Sequence, residues 1–312
     1  MNAPLDGILV ADFSRVLAGP MATMMLADLG ARVIKVERPG GGDETRAWGP
    51  PFTERGTSYF ESVNRTKESV ALDLRNPDDL VLAQELARRA DVVVENFLPG
   101  TMDRLGLGYE QVAATNPGVV YCSISGFGSG AGAHLPGYDF VIQGLGGLMS
   151  ITGTPGEPMK VGVAIVDVLT GKDAVIGILA ALAGRARTGR GERLEVALLM
   201  SSLAGMVNQG QAALTTGRPP GLLGNRHPSI APYETLHCPG GPLIMACGND
   251  GQFARLCEVL GAPELAAQAE YATNSARVVN RVALTSLLEE LLADADADYW
   301  VEQLTAARVP AG

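Results

Sequence analysis

Charge is scarce in this chain: Asp, Glu, Lys and Arg make up 19% of its 312 residues, and few of them lie in runs. A disordered or low-complexity chain is thereby excluded. The formal net charge of −10 argues against nucleic acid or an anionic membrane surface as a partner, although local basic residues can still hold an anionic ligand. Only four cysteines occur, Cys122, Cys238, Cys247 and Cys257, with no C-x-x-C pair and no signal-peptide pattern at the N-terminus. They are expected to be reduced thiols of a cytoplasmic protein. Long hydrophobic runs are missing as well. Stretches such as Ala174–Leu182 are too short to span a bilayer, so no membrane partner is expected.

Apolar residues at 46% support a sizeable core, and 39 glycines with 19 prolines imply many tight turns between short elements. Short apolar runs at Ile8–Asp12, Val33–Val36, Ser69–Leu74, Asp91–Glu95 and Val119–Ser125 read as strands. Between them lie helical patterns at Met21–Leu29, up to Ala90 from a cap at Asn76 or Asp78, and at Tyr109–Thr115. Strands separated by helices of this size imply βαβ units and a Rossmann-like parallel sheet, an α/β fold. A long irregular connection, Pro39–Lys67, contains Gly40–Gly42, and connections of that length are more often functional than decorative. Further helices are expected at Tyr138–Met149, Asp167–Arg187 and from Leu198, with a strand at Arg193–Ala197. Beyond about residue 220 the texture changes to a hairpin, Tyr233–His237 with Leu243–Cys247, then helices at Gln252–Leu260, Arg281–Leu292 and Tyr299–Ala307. The expected organisation is a large domain over 1–220 and a small α+β domain over 221–312. The chain ends directly after a helical pattern, at Val309–Gly312, and is expected to continue in the complete protein.

Familiar nucleotide and hydrolase signatures are missing. The loop after the first strand, Ser14–Pro20, has no G-x-G-x-x-G, which disfavours a nicotinamide or flavin enzyme even though Glu37 would suit a ribose. There is no P-loop, no G-x-S-x-G elbow, and no His/Cys/Asp cluster with zinc spacing, so no metal is expected. What remains is a set of arginines at strand ends, Arg38, Arg75 and Arg104, with Asn96 beside them. In a parallel sheet these loops share the edge where ligands bind, and arginines there can pair with phosphates; they can equally be solvated surface charges. Asp167 is preceded by apolar residues and followed by a helical pattern. It fits an N-cap. It also fits a partly desolvated nucleophile kept ionised by the helix terminus. The two roles are compatible.

Taken in order, a series of short strings resembles the class III CoA-transferases, the family of formyl-CoA transferase and carnitine CoA-transferase, with alpha-methylacyl-CoA racemase as a side branch. The strings are Asp12–Pro20, Ala31–Pro39 with Gly42-Asp43, Asn64-Arg65, Leu72-Asp73-Leu74, Val94–Gly100, Arg104-Leu105-Gly106, Ser125–Gly128, Pro136–Asp139, the Asp167 segment and His227–Tyr233. Each is weakly specific; their order and spacing over nearly the whole chain are highly specific. The resemblance implies that Asp167 is the nucleophile and that coenzyme A, as acyl-CoA substrate, lies along Leu17 and Ala18. Arg38, Arg75 and Arg104 would sit near its adenine and phosphates, with Leu72, Asn96 and Phe97 as further contacts. Tyr138 and Asp139 would stand near the acyl end. It also implies a carboxylic acid acceptor, no metal or redox cofactor, and an interlocked homodimer.

Two departures narrow the expectation. The racemase branch carries a His where this chain has Tyr138, and a phenol is a poor base at neutral pH; transfer is therefore favoured over racemisation. The glycine run of the formyl-CoA branch is replaced by Gly221–His227, which departs from an oxalate or formyl specificity and leaves Asn225, Arg226 or His227 either to hold an acceptor's distal group or to form a plain turn. The expected function is transfer of CoA from an acyl-CoA to a carboxylic acid through an aspartyl-CoA thioester. The alternatives are a racemase acting alpha to a thioester and a non-catalytic CoA-binding protein.

Overall fold

The computed structural model describes residues 3–312. Six strands form one all-parallel sheet: β1 (Leu9–Asp12), β2 (Arg32–Glu37), β3 (Glu68–Ala71), β4 (Val92–Glu95), β5 (Val120–Ser125) and β6 (Arg193–Ala197), in spatial order β3-β2-β1-β4-β5-β6. Val10 of β1 stands between Val33 of β2 and Val92 of β4. The central strands are apolar on both faces because both are covered. Alternate residues face opposite sides. Val10, Val92, Val94, Val120 and Cys122 pack under helices α1 (Ala18–Asp28) and α5 (Ile165–Thr188). Ala11, Val93 and Tyr121 pack under α2 (Pro77–Arg89) and α3 (Tyr109–Thr115). Helices α4 (Asp139–Leu145), α6 (Leu198–Gly205) and α7 (Val207–Thr216) complete this unit, which comprises the described residues up to Ile151 together with Met159–Pro220.

Thr152–Pro158 and Gly221–Gly312 form a second compact unit. In it β7 (Tyr233–Cys238) pairs antiparallel with β8 (Gly241–Ala246). Leu236, Leu243 and Met245 of the hairpin are buried with Phe253, Leu256, Leu284, Leu288 and Leu304 from the helices that follow.

The strands and most helices lie where the sequence pattern puts them; the helix starts differ. Helix α1 begins at Ala18 rather than Met21, because Gly19 and Pro20 sit in its first turn, where a missing N–H leaves no bond unmade. Helix α4 ends at Leu145, and Gly147 in the left-handed region (φ 88°) breaks the expected helix before a short turn at Leu148–Ser150. Helix α5 begins at Ile165, two residues before Asp167. By contrast α2 starts as expected, since Asn76 accepts from the Asp78 amide at 2.9 Å and Pro77 opens the helix.

A buried charge network fixes the loop between β1 and α1. Asp12 accepts from the Ser14 amide at 2.9 Å, from the Thr23 hydroxyl at 2.6 Å and from Lys67 Nζ at 3.1 Å. Lys67 also donates to the Pro20 carbonyl at 2.8 Å. Lys35, in the middle of an apolar strand, donates to the Ser14 carbonyl at 2.7 Å and pairs with Asp43 at 3.0 Å. Asp43 in turn accepts from the Val16 amide at 3.2 Å. All four charged side chains are at most 2% exposed. Burial alone would raise the Asp12 carboxyl, but Lys67 and Lys35 together with the Ser14 and Thr23 bonds outweigh it and hold it down at about 2. The network also holds Val16 at φ 68°, a left-handed conformation that a β-branched residue adopts only when its surroundings impose it.

Asp12→Asn removes one anion from between two buried lysines while keeping an acceptor for Ser14. It is expected to lower stability at neutral pH by about 3 kcal/mol, read as a fall in the urea midpoint; a loss below about 1 kcal/mol would mean that the network is a surface-like ion pair.

Candidate active site

The strand order reverses direction between β1 and β4, and in open parallel sheets ligands bind beyond the carboxyl ends of the strands at such a switch point. Here the two departing loops are clasped together. The Arg15 amide donates to Asn96 Oδ1 at 2.8 Å, and Asn96 Nδ2 donates back to the Arg15 carbonyl at 2.7 Å. Asn96 is thus occupied with the backbone, and it sets the separation of the two loops.

Two clefts open on this edge and share Arg15 and Phe97 as their common wall. The outer cleft, about 410 Å³, has Leu72, Leu74 and Phe97 in its lining and carries Arg38, Arg75 and Arg104. All three arginines are exposed. Arg75 pairs with Asp73 at 3.0 Å, Arg38 donates to the Gly42 carbonyl at 3.2 Å, and Arg104 donates to the Thr101 hydroxyl at 3.0 Å. The inner cleft, about 230 Å³, is lined by Leu17, Ala18, Asn96, Phe97, Tyr138 and Asp167 among others. Every residue that the family resemblance put against CoA or at the nucleophile's position therefore lines one cleft or the other, except Asp139.

Asp139 is buried behind the inner cleft. Its Oδ1 accepts from the amides of Val166 at 2.8 Å and Asp167 at 3.3 Å, the first turn of α5, and its Oδ2 accepts from Gln143 Nε2 at 2.7 Å. Gln143 Oε1 then accepts from the Val161 amide at 2.8 Å. The residue in the N-cap position of α5, Ala164, has no side-chain acceptor, so Asp139 supplies the cap from another helix. This corrects the sequence-based reading of Asp167 as the cap; Asp139 makes the cap and stands buried beside Asp167 rather than in the cleft wall.

Freed from capping, the Asp167 carboxyl is half-buried at the cleft. Burial, and after it the neighbouring Asp139, push it up from the ordinary 3.8 to about 7. The expectation that the helix terminus keeps it fully ionised does not hold, because desolvation and a like charge outweigh the dipole. A carboxylate of this basicity is a stronger nucleophile and a better proton acceptor than a solvated one.

Backbone packing aims this corner. A Cβ on Gly137 would lie 2.5 Å from the Gly126 Cα, and one on Gly126 would lie 2.7 Å from the Gly137 Cα. The loop after β5 and the loop bearing Tyr138 and Asp139 can touch only because both residues are glycine. Likewise a Cβ on Gly171 would stand 2.9 Å from the Ala18 carbonyl oxygen, so α5 lies close against the start of α1.

The structure adds residues that local pattern did not single out. Arg15 stacks on Phe97, its guanidinium carbon 5.0 Å from the ring centroid, and pairs with Glu44 at 2.5 Å. Arg15 Nε and Glu44 Oε2 are both buried without a hydrogen-bond partner. The signal for Arg15 was its place directly after the first strand. Tyr59, from a short helix at Ser58–Ser62 inside the long connection, is half-buried. Burial, then Asp167, Asp139 and Asp43, push its phenol up to about 12. Only the length of that connection pointed there. Asn225, Arg226 and His227 lie in the second unit, where Arg226 pairs with Glu234 at 3.0 Å and His227 Nδ1 accepts from the Ser229 amide at 3.1 Å.

The doubly wound α/β unit thus carries paired clefts at its switch point, with a basic carboxyl at the inner end. The chain belongs to CoA-transferase family III, whose pattern it matches over residues 5–312. It is 49% identical to a succinate–glutarate CoA-transferase of Agrobacterium fabrum, over 91% of this chain and 73% of that protein. It is 43% identical to an acetyl-CoA:oxalate CoA-transferase of Acetobacter aceti, over 100% of this chain and 80% of that one. Among solved structures it resembles a CaiB/BaiF family protein from Brucella suis, with a TM-score of 0.88 and 49% identity, covering 100% of this chain and 84% of the other. Among the described residues no helix is long and apolar enough to cross a membrane, and no group of three or more His, Cys, Asp or Glu could hold a metal ion.

The raised Asp167 carboxyl has a sign that can be checked. Between its ordinary value of 3.8 and about 7 the folded state binds more protons than the unfolded one, so this group lowers stability as pH rises through that window. Asp167→Asn abolishes the titration. Its melting temperature is expected to exceed that of the parent by several degrees at pH 8, the difference shrinking toward pH 4. An equal melting temperature for the two proteins across that range would contradict the burial assigned to Asp167.

Proposed function

We propose that this CoA-transferase moves coenzyme A from an acyl-CoA to a short dicarboxylic acid, with succinyl-CoA as donor and glutarate as acceptor the first pair to test, and with Asp167 as the covalent carrier. The observation that carries this reading is the position of the Asp167 carboxyl. It lies in a cleft that shares the Arg15–Phe97 wall with an arginine-bearing outer cleft. A CoA laid across the wall would keep its phosphates among Arg38, Arg75 and Arg104 and bring its thioester to Asp167. Leu72 and Phe97 would carry the adenosine and pantetheine parts, and Leu17 and Ala18 would border the inner run. The glutarate assignment is supported by the 49% identity to the succinate–glutarate CoA-transferase of Agrobacterium fabrum.

The exchange balances without an external proton or electron. An Asp167 oxygen attacks the thioester carbon, the carbon–sulfur bond breaks, and CoA leaves as thiolate with an acyl-aspartyl anhydride behind it. The thiolate attacks Asp167 Cγ, the Cγ–O bond to the acyl group breaks, and the donor acid departs with the bridging oxygen. Asp167 is now an aspartyl-CoA thioester. The acceptor carboxylate attacks the same Cγ and expels the thiolate; the thiolate takes the acceptor's carbonyl carbon and returns a free carboxylate to Asp167. Splitting one difficult exchange into such steps is what covalent catalysis supplies. The racemase reading is weaker because Tyr138, not a histidine, stands at the cleft.

The larger unit would thus be the CoA-binding domain and the smaller one its companion. Phe140, Val141 and Leu145 on α4, Ile176 on α5, and Met200 and Leu203 on α6 are exposed apolar side chains; we take them as the surface that a second copy covers in an interlocked homodimer. The four free thiols suit a reducing, cytoplasmic compartment.

Incubation with succinyl-CoA followed by hydroxylamine is expected to convert Asp167, and no other carboxyl, to a hydroxamate. Asp167→Ala is expected to lower kcat by on the order of 10⁴-fold or more while CoA still binds. Turnover with Asp167 unmodified rejects the covalent role. CoA binding with no turnover over a panel of dicarboxylic acids favours a binding protein.

A further inference from the structure

The buried carboxylate of Asp139 lies outside the cleft and has no part in the covalent steps. Nevertheless it touches the nucleophile's own backbone, through the amides of Val166 and Asp167 at 2.8 and 3.3 Å. Without it the first turn of α5 would have no side-chain acceptor, because Ala164 stands at its N-cap. Its second oxygen and Gln143 extend the same hold to the Val161 amide, at 2.7 and 2.8 Å. The residue is therefore built into the start of the helix, and it brings a negative charge to a desolvated carboxyl.

We infer that Asp139 is a positioning residue that caps α5 in place of Asp167, aims the Asp167 carboxyl into the inner cleft, and favours its uncharged covalent forms over the free carboxylate. The inference rests on the reading of Asp167 as the covalent carrier. A fixed negative neighbour destabilises a second carboxylate but leaves an anhydride or a thioester at the same atom untouched. The free enzyme is thereby raised toward its own intermediates, and the carboxylate gains basicity without losing its aim.

Other charged and titratable groups around Asp167 do not duplicate this role. Burial and the nearby carboxylates push the Tyr59 phenol up and keep it protonated, and Arg15 is paired with Glu44. On α1 the only charged residue, Asp28, pairs with Arg65; α6 has none; Arg193 and Glu195 on β6 pair with each other; burial keeps Tyr121 and Cys122 on β5 protonated.

Two variants separate charge from cap. Asp139→Asn keeps an acceptor for the two amides and removes the charge; Gln143 must turn its amide to meet the new Nδ2 and gives up its bond to the Val161 amide. Asp139→Ala combined with Ala164→Ser removes the charge and gives α5 a cap of its own. In both, the acid limb of the kcat/KM profile is expected to move down by about one pH unit. Above that limb kcat should fall about tenfold, with less than about a twofold change in KM for acyl-CoA. The fraction of enzyme trapped as hydroxamate should fall with it. If both variants keep the parental profile and kcat, the inference is wrong. Asp167→Asn run alongside distinguishes the two claims: if that variant turns over normally, the carrier reading fails instead.

Discussion

A carboxylate that is to act from a helix start, as proposed for Asp167, faces a conflict, because the free amides of the first turn are the strongest local partners for any acidic side chain there. If Asp167 answered them, its lone pairs would turn inward. In this protein the answer comes from Asp139 on the neighbouring helix, through bonds of 2.8 and 3.3 Å, and Asp167 is left to face the cleft. The same arrangement sets its basicity. Burial and the adjacent charge hold the carboxyl near neutrality, so a group ordinarily ionised throughout the physiological range becomes one whose free anion is costly. In the exchange proposed above, the site passes repeatedly between a free carboxylate and neutral acyl derivatives and would gain from that cost, since it narrows the gap between the resting enzyme and its intermediates.

The remaining architecture supplies the setting. The sheet order places the loops after β1 and β4 apart, and the Arg15–Asn96 clasp holds them at a set distance. Beneath the first loop, Asp12, Lys35, Asp43 and Lys67 are ion-paired out of water and leave it little freedom. Such a network adds little net stability compared with an apolar core, but breaking any member of it leaves an uncompensated charge. Its result is a rigid edge, Val16 strained within it, against which Leu17, Ala18 and the Arg15–Phe97 stack form the path between the two clefts. On the far side the contact of Gly126 with Gly137 delivers Tyr138 and Asp139.

How much of this can be read from the sequence depends on whether a residue's partner is local. Strands such as Val92–Glu95 announce themselves because both faces are covered, and α2 announces its start through Asn76 and Pro77. The starts of α1 and α5 do not, since Leu17 and Ala164 are not capping residues; the cap of α5 lies 27 residues away in the chain. Lys35 inside an apolar strand gives no hint of Asp43, and Tyr59 gives none of the aspartates beside it. The motif strings located most of the cleft residues, because their order along the chain reflects which strand ends meet. They placed Asp139 among them as well, and only its hydrogen bonds show that it stands behind the site and supports it.

Covalent carriage by Asp167 requires that its oxygen atoms take part in the exchange. It is tested most directly by turnover of succinyl-CoA with glutarate carrying oxygen-18 in its carboxyl groups, followed by mass analysis of the peptide containing Asp167. Passage through the aspartyl thioester leaves an acceptor oxygen on Asp167, so the peptide is expected to gain the label and, over later turnovers, to pass it to released succinate. Label reaching succinate while Asp167 stays unlabelled would mean that donor and acceptor exchange directly, without Asp167 as carrier.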